Sequence, residues 1–399
     1  MRFACDTGGT FTDLVVEDNE GLIQMFKAPT VPADPVAGVL SAIESAAGSY
    51  GCAPRDLLMR GEMFIYGTTH AINAIVTGRT AKTAFLTTEG HPDILVIREG
   101  GRAEPFNYDV TYPEPYIPRA LTFEIPGRML SDGTIDKALD KTAVCGVIEQ
   151  LMSVEIEAVA VCLLWSIVNA AHEQQVGALL DRLMPEVPYT LSHQLNPATR
   201  EYRRASSTCI DASLKPLMAR HMGSLTTRLA EAGFDGRVLV LTSQGGMLDA
   251  DDLSGAPIHA INSGPSMAPL AGRFYAIRDA FNDTAIVADT GGTTYDVSLV
   301  RSGDVPFTRE MWIGEPFRGH MTGFPSVDVR SIGAGGGSIA SVDSGGLLHV
   351  GPESAGAAPG PACYGLGGTQ PTLTDACVVL GYVDPKFFLG GSMKLNADL

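Results

Sequence analysis

Two stretches of this chain combine carboxylates, a glycine turn and hydroxyls: Asp6-Thr-Gly-Gly-Thr-Phe-Thr-Asp13 and Asp289-Thr-Gly-Gly-Thr-Thr-Tyr-Asp296. They are nearly one string read twice, 283 positions apart. In each, two glycines let the backbone approach a ligand without a Cβ in the way, and exposed N–H groups can donate to phosphate oxygens. The candidate phosphate cradle is therefore Thr7, Gly8, Gly9 and Thr10 in the first copy, and Thr290, Gly291, Gly292 and Thr293 in the second. The leading aspartates, Asp6 and Asp289, suit a magnesium ion or its bound water. With the closing Asp13 and Asp296 they make up the candidate catalytic carboxylates. A single copy is as readily an ordinary β-turn. Two copies facing each other would grip a polyphosphate from both sides.

Strands must hold these turns. Apolar runs at 3–5 and 14–16 flank the first copy and runs at 285–288 and 297–300 flank the second, so each reads as strand, tight turn, strand. Asp34-Pro35 opens a helix whose stripe is Val36, Val39, Leu40, Ile43 and Ala47. Phe64-Ile-Tyr66 reads as a buried strand running into Gly67-Thr-Thr-His70 and a further helix. There Thr68, Thr69, His70 and Asn73 are candidate substrate residues. The threonines could donate to an anion at the helix start or simply cap it, and His70 is either a proton shuttle or a hydrogen-bonded structural histidine. Residues 82–87 and 156–164 read as strands, the second continuous enough to be buried on both faces. The stretch 200–232 is helical in pattern, interrupted at Pro216, and reads as the connector between halves. Residues 100–128 show little periodicity and read as a long functional loop or small inserted subdomain. Arg98, Arg102, Arg119 and Arg128, in or beside it, could hold an anionic intermediate or be ordinary solvated charges. Strands alternating with helices in both halves indicate an α/β fold with mixed sheets.

At 399 residues the chain has room for two domains, expected at 1–195 and 196–399. A formal charge of −17 argues against nucleic acid or an anionic membrane surface as a partner. No apolar run approaches the ~20 residues that span a bilayer, and the N-terminus enters a strand directly, without a signal peptide. The seven cysteines are scattered, odd in number and without a C-x-x-C pair. That is the pattern of a reducing compartment, so a cytoplasmic protein is expected, and no cysteine–histidine cluster has zinc spacing.

The doubled Asp-Thr-Gly-Gly-Thr turn, followed by Ile332-Gly-Ala-Gly-Gly-Gly-Ser338, resembles the actin, sugar-kinase and heat-shock chaperone superfamily. The resemblance implies two ribonuclease-H-like domains with an interdomain ATP cleft, and places Gly333, Gly335, Gly336 and Gly337 in an adenosine loop. A closer resemblance is to the hydantoinase/oxoprolinase family. Besides both octapeptides it is carried by Gly67-Thr-Thr-His-Ala-Ile-Asn73, Asn169-Ala-Ala-His-Glu173, Ser263-Gly-Pro265, Val350-Gly-Pro-Glu-Ser-Ala-Gly356, Pro359-Gly-Pro-Ala-Cys-Tyr364 and Pro371-Thr-Leu-Thr-Asp-Ala376. These follow the family's order along nearly the whole chain. The resemblance implies an ATP-dependent hydrolase subunit that phosphorylates the carbonyl oxygen of a cyclic amide, such as a hydantoin, 5-oxoproline or a lactam. ATP-dependent ketone carboxylation of the acetone or acetophenone type is the alternative. It also implies a hydantoinase B-type partner in a hetero-oligomer, and a second domain left incomplete at Leu399. A non-enzymatic conformational ATPase of the actin or chaperone type is the rival from another class. Ser243-Gln-Gly-Gly246, Ser266-Met-Ala-Pro269 and Arg330 depart from the family's usual Ser-Asn-Gly-Gly, glycine-rich loop and histidine. These departures leave the substrate open.

Overall fold

A computed structural model describes residues 1–399 apart from positions 10, 32, 101–103, 105, 111, 112, 280–282 and 392. Thr10 of the candidate cradle and Arg102 lie outside the described residues.

The first sheet has the order β12-β11-β4-β1-β2-β3. Its strands are β1 (Arg2–Thr7), β2 (Phe11–Glu17), β3 (Ile23–Pro29), β4 (Met63–Thr68), β11 (Arg237–Leu241) and β12 (Met247–Asp249). The first three form an antiparallel meander, and β4 and then β11 join it in parallel on the other side of β1. Alternation drives the packing: Phe3, Cys5, Leu14 and Val16 point inward while their neighbours are more open. Helix Pro35–Ser49 covers this face with Val36, Val39, Ala42, Ile43, Ala46 and Ala47. Asp34 stands at its N-cap but makes no capping bond; its carboxylate accepts instead from Arg228 Nη1 at 2.7 and 2.8 Å.

The second sheet, β10-β9-β5-β6, is parallel throughout, with β5 (Thr83–Thr88), β6 (Thr122–Ile125), β9 (Ala158–Cys162) and β10 (Tyr189–Leu191). Every residue of β5 and β9 is buried, as a strand covered on both faces requires. Strand β6 falls inside the stretch that its weak periodicity marks as irregular. Helix Glu201–Glu231 joins the two sheets, with Ile210, Leu214 and Met218 in the core of the first and Tyr202, Ala205 and Cys209 packed with Phe85, Ala158 and Ala160 of the second. It runs unbroken through Pro216, against the expected interruption. The flanking Leu214 and Met218 are fully buried, and their packing outweighs the one backbone bond the proline cannot make. Sheet membership crosses the division expected at 195 and 196, because β11 and β12 lie in the first sheet beside β4.

The third sheet has the order β13-β14-β17, from β13 (Ala285–Thr290), β14 (Tyr295–Val300) and β17 (Val329–Ile332). Among the described residues three two-stranded ribbons complete the strands: β7 (Arg128–Met129) with β8 (Ile135–Lys137), β15 (Trp312–Ile313) with β16 (His320–Met321), and β18 (Ser338–Val342) with β19 (Leu348–Ser354). The architecture is α/β with mixed sheets, as the alternation of elements indicates. Among the described residues no helix is long and apolar enough to cross a membrane.

Candidate active site

The two octapeptides fold into the same object. In the first, β1 and β2 pair with Asp6 opposite Asp13, and Gly8 N–H closes the turn on Phe11 O at 3.0 Å. In the second, β13 and β14 pair with Asp289 opposite Asp296, and Gly291 N–H closes the turn on Thr294 O at 2.9 Å. Gly8 and Gly291 thus use their amides inside the turns. The N–H groups of Gly9 and Gly292 have no acceptor among the described residues and are the ones left for an anion. Thr7 is buried, whereas Thr290 and Thr293 are exposed at the second turn.

The carboxylates of the two hairpins act on one another. Asp6 is raised from 3.8 to about 6, first by burial, then by Asp13 and by Asp289 of the other hairpin, with Lys27 opposing. Asp289 is raised by burial, then by Asp296 and by Asp13 across the gap, again opposed by Lys27. Asp6 is recessed among protein atoms but still open to water, the situation of a residue inside a cleft. Lys27 sits opposite Asp13 in the β2–β3 register and donates to its Oδ1 at 2.7 Å. The matching register position beside Asp296 is Ser331, so the second hairpin lacks this cation. Asp296 is 8% exposed, and its Oδ1 is buried with no hydrogen-bond partner.

That orphaned oxygen among mutually repelling carboxylates fits a divalent cation. Among the described residues no group of three or more ligating side chains is gathered closely enough to hold an ion alone. Such an ion would draw its other ligands from phosphate and water, which is how magnesium usually binds.

Distant segments close around Asp6. A Cβ on Gly67 would come within 2.8 Å of Asp6 Oδ1, and one on Gly264 within 3.3 Å. A side chain at either position would crowd the carboxylate, more at 67 than at 264. Ser263 Oγ donates to Thr68 O at 3.3 Å, and Ser266 Oγ donates to Ser243 O at 3.1 Å. Three motifs far apart in the chain are thereby gathered beside the first aspartate.

The glycine loop after β17 braces the second hairpin. Gly336 N–H donates to Gly291 O at 2.9 Å and Gly337 N–H to Gly292 O at 2.7 Å. A Cβ on Gly335 would lie 2.7 Å from Gly291 O and from the Thr293 backbone. Gly333 packs on Pro352, with 3.5 Å left for a Cβ. Sequence reasoning assigned these glycines to a nucleoside alone and missed this bracing. It also missed Lys27, which the pairing of β2 with β3 could have revealed.

The remaining candidates bond mostly to one another. Thr68 is buried and its Oγ1 accepts from His70 N–H at 3.1 Å, while Asn73 Nδ2 donates to Thr69 Oγ1 at 3.1 Å. The His70 ring stacks on His221 at 4.5 Å, and His221 Nε2 shares a 3.0 Å hydrogen bond with Tyr66 Oη. Burial, then Arg79, lowers His70; burial, then His70, takes His221 down to about 4.

Sequence models described as "Hydantoinase/oxoprolinase N-terminal region" and "Hydantoinase/oxoprolinase" match residues 2–184 and 204–399. The chain is 38% identical to the caprolactamase subunit alpha of Pseudomonas jessenii over 99% of its own length and 56% of that protein. The solved structure of ATP-dependent caprolactamase from that organism superposes with a TM-score of 0.82, covering 100% of this chain and 57% of the other. Identity to the acetophenone carboxylase gamma subunit of Aromatoleum aromaticum is 36%, over 98% of this chain and 54% of the relative. A nucleotide-free acetone carboxylase structure, at 24% identity, shares the fold with a TM-score of 0.84 over 100% of this chain and 57% of its own. The chain thus spans little more than half the length of these relatives.

Proposed function

This chain belongs to the hydantoinase/oxoprolinase family, and we propose that it is the ATP-handling part of an enzyme that opens a cyclic amide. One observation carries the reading: Asp289 of one hairpin acts on Asp6 of the other, although the two stand 283 positions apart in the chain. Two phosphate turns that share an electrostatic field can address one polyphosphate. The similarity to an ATP-dependent caprolactamase supports ATP as that polyphosphate and a lactam-like amide as the acceptor.

In this reading the free amides of Gly9 and Gly292, with the hydroxyls of Thr290 and Thr293, hold phosphate oxygens. Asp6, Asp289 and Asp296 would hold magnesium partly through water, its remaining ligands coming from the phosphates whose charge it neutralises. Asp6, enclosed by the Gly67 and Gly264 turns, is the residue placed to orient the acceptor oxygen. The γ-phosphoryl group leaves ADP for the amide oxygen, which turns that oxygen into a good leaving group. Water then adds to the carbon, the ring nitrogen leaves with a proton so that the ring opens to an acyl phosphate, and a second water releases the phosphate to leave the carboxylate. The second step belongs to a partner of the hydantoinase B type.

The third sheet supports completion by further polypeptide. In the first sheet β1 is flanked by β2 and, in parallel, by β4. Its counterpart β13 has β14 on one side and no described strand on the other, and Ile286 on it is 76% exposed. A parallel strand from polypeptide outside residues 1–399 would fill that edge and give Asp289 the cover that Gly67 gives Asp6.

The test is ADP release by the chain with its partner, in the presence of caprolactam, 5-oxoproline or hydantoin, or of acetone or acetophenone with bicarbonate. Amide-dependent ADP formation is expected. Bicarbonate-dependent turnover would establish the carboxylase reading that the acetophenone carboxylase similarity favours. Slow turnover indifferent to every addition would sink both.

A further inference from the structure

Arg98 follows the short helix Ile94–Ile97 with φ 60° and ψ −134°. A residue with a Cβ keeps this conformation only where surrounding structure enforces it. The loop it reaches is strained as well, since Phe317 has φ 67°. Arg98 Nη1 donates to Gly319 O at 2.8 Å and to Phe317 O at 3.3 Å, which fixes one arm of the guanidinium. The group lies over the Tyr202 ring, 6.0 Å from its centre.

The other edge is bare. Nε and Nη2 are both buried and neither has a hydrogen-bond partner. These two atoms present parallel donors, the fork that a planar carboxylate meets with two hydrogen bonds. Neighbouring acids are engaged elsewhere. Glu99 is bound by Arg200 and Arg203, Glu310 pairs with Arg203, and Glu104 and Glu315 pair with Arg318. Among the described residues no carboxylate pairs with Arg98, although the chain carries a net charge of −17. A buried cation with two dry donors is costly unless an anion completes it.

We propose that the Nε–Nη2 edge of Arg98 binds a planar carboxylate group, carried by a small organic substrate or presented as bicarbonate. Its place in the reaction rests on the function proposed above; its existence does not. Gly319 and Phe317 lead into β16, which pairs with β15, and Met311 just before β15 takes Asn262 Nδ2 at 3.9 Å. Asn262 precedes the Ser263-Gly264 turn that abuts Asp6. The loop that anchors Arg98 is thus joined to the Asp6 segment through β16, β15, Met311 and Asn262. Burial and Arg98 take His320 down to about 4, so this neighbouring imidazole is neutral and adds no second positive charge. The site separates substrates: 5-oxoproline carries a carboxylate and bicarbonate is one in effect, whereas caprolactam is uncharged.

Trp312 packs against Phe317 at 5.4 Å, so its fluorescence reports on the loop that Arg98 holds. The full-length chain, without nucleotide, is titrated with 5-oxoproline and with bicarbonate, using caprolactam and sulfate as controls. A saturable response to 5-oxoproline alone identifies an organic carboxylate as the ligand, and one to bicarbonate alone identifies the carbonate. Arg98→Lys, which keeps the charge and can reach the anchoring carbonyls, should weaken binding at least about tenfold by losing the fork. Arg98→Met should abolish it. Absence of any response, an equal response to sulfate or caprolactam, or unchanged affinity in a folded Arg98→Lys protein overturns the proposal. ATP binding measured separately by calorimetry tests the nucleotide reading, so either can fail without the other.

Discussion

Replacing Asp6 with asparagine should stabilise the ligand-free protein near neutral pH while abolishing turnover. In the folded chain the Asp6 carboxyl is raised from 3.8 to about 6, by burial first and then by Asp13 and Asp289. The unfolded chain gives up the same proton near the ordinary value. As pH rises between the two values, the unfolded state holds fewer protons than the folded one, so stability falls, and above the folded value the full cost is in place. At about 1.4 kcal/mol per pH unit the displacement sets a ceiling of about 3 kcal/mol. Asp6 remains open to water, and screening brings the expected gain nearer about 1 kcal/mol. In a protein of this size that is a rise in Tm of roughly 1–3 °C. The gain should be largest at about pH 7.5 and shrink towards about pH 4, where the wild-type carboxyl is protonated too. Thermal melts of both proteins at the two pH values measure it. Added magnesium and ATP should then stabilise the wild type and leave Asp6→Asn nearly unmoved. An Asp6→Asn protein less stable than wild type at the higher pH, or one whose gain is equal at both, would refute the electrostatic account.

Three further outcomes are expected. Asp296→Asn removes a buried charge whose Oδ1 has no partner, so it should leave the melting point equal or higher while lowering kcat at least ~100-fold; unchanged kcat in steady-state assays would rule out its place in the site. Gly335→Ala forces a Cβ against Gly291 O at 2.7 Å, and should destabilise by about 1–3 kcal/mol and raise the KM for ATP. A denaturation midpoint matching wild type would contradict the brace. Pro216→Ala restores a backbone donor for Ala212 O inside helix Glu201–Glu231, and should raise stability by up to ~1 kcal/mol in urea unfolding; a loss would show that the proline is needed where it stands.

Much of the fold was legible because its signals are local. The paired hairpins follow from glycines between apolar runs, and the buried β9 from an uninterrupted apolar stretch. Strand β6 escaped notice because four residues inside a proline-rich stretch carry too short a pattern. The continuity of the helix through Pro216 was hidden for the opposite reason. Local propensity says break, and burial of Leu214 and Met218 against distant strands overrides it.

Two glycine turns and the carboxylates that flank them were determined by sequence alone, since a turn depends on neighbouring residues and their Cβ atoms. Only the tertiary structure decided which amides remain free, which aspartate has Lys27 beside it, and which keeps an unpartnered oxygen. It also decided that Gly67 and Gly264 make room for Asp6, and that the glycine loop after β17 clasps the second hairpin. Charge–charge interaction and steric exclusion depend on distance through space. Residues 283 positions apart along the chain acquire such a distance only when the sheets that carry them pack.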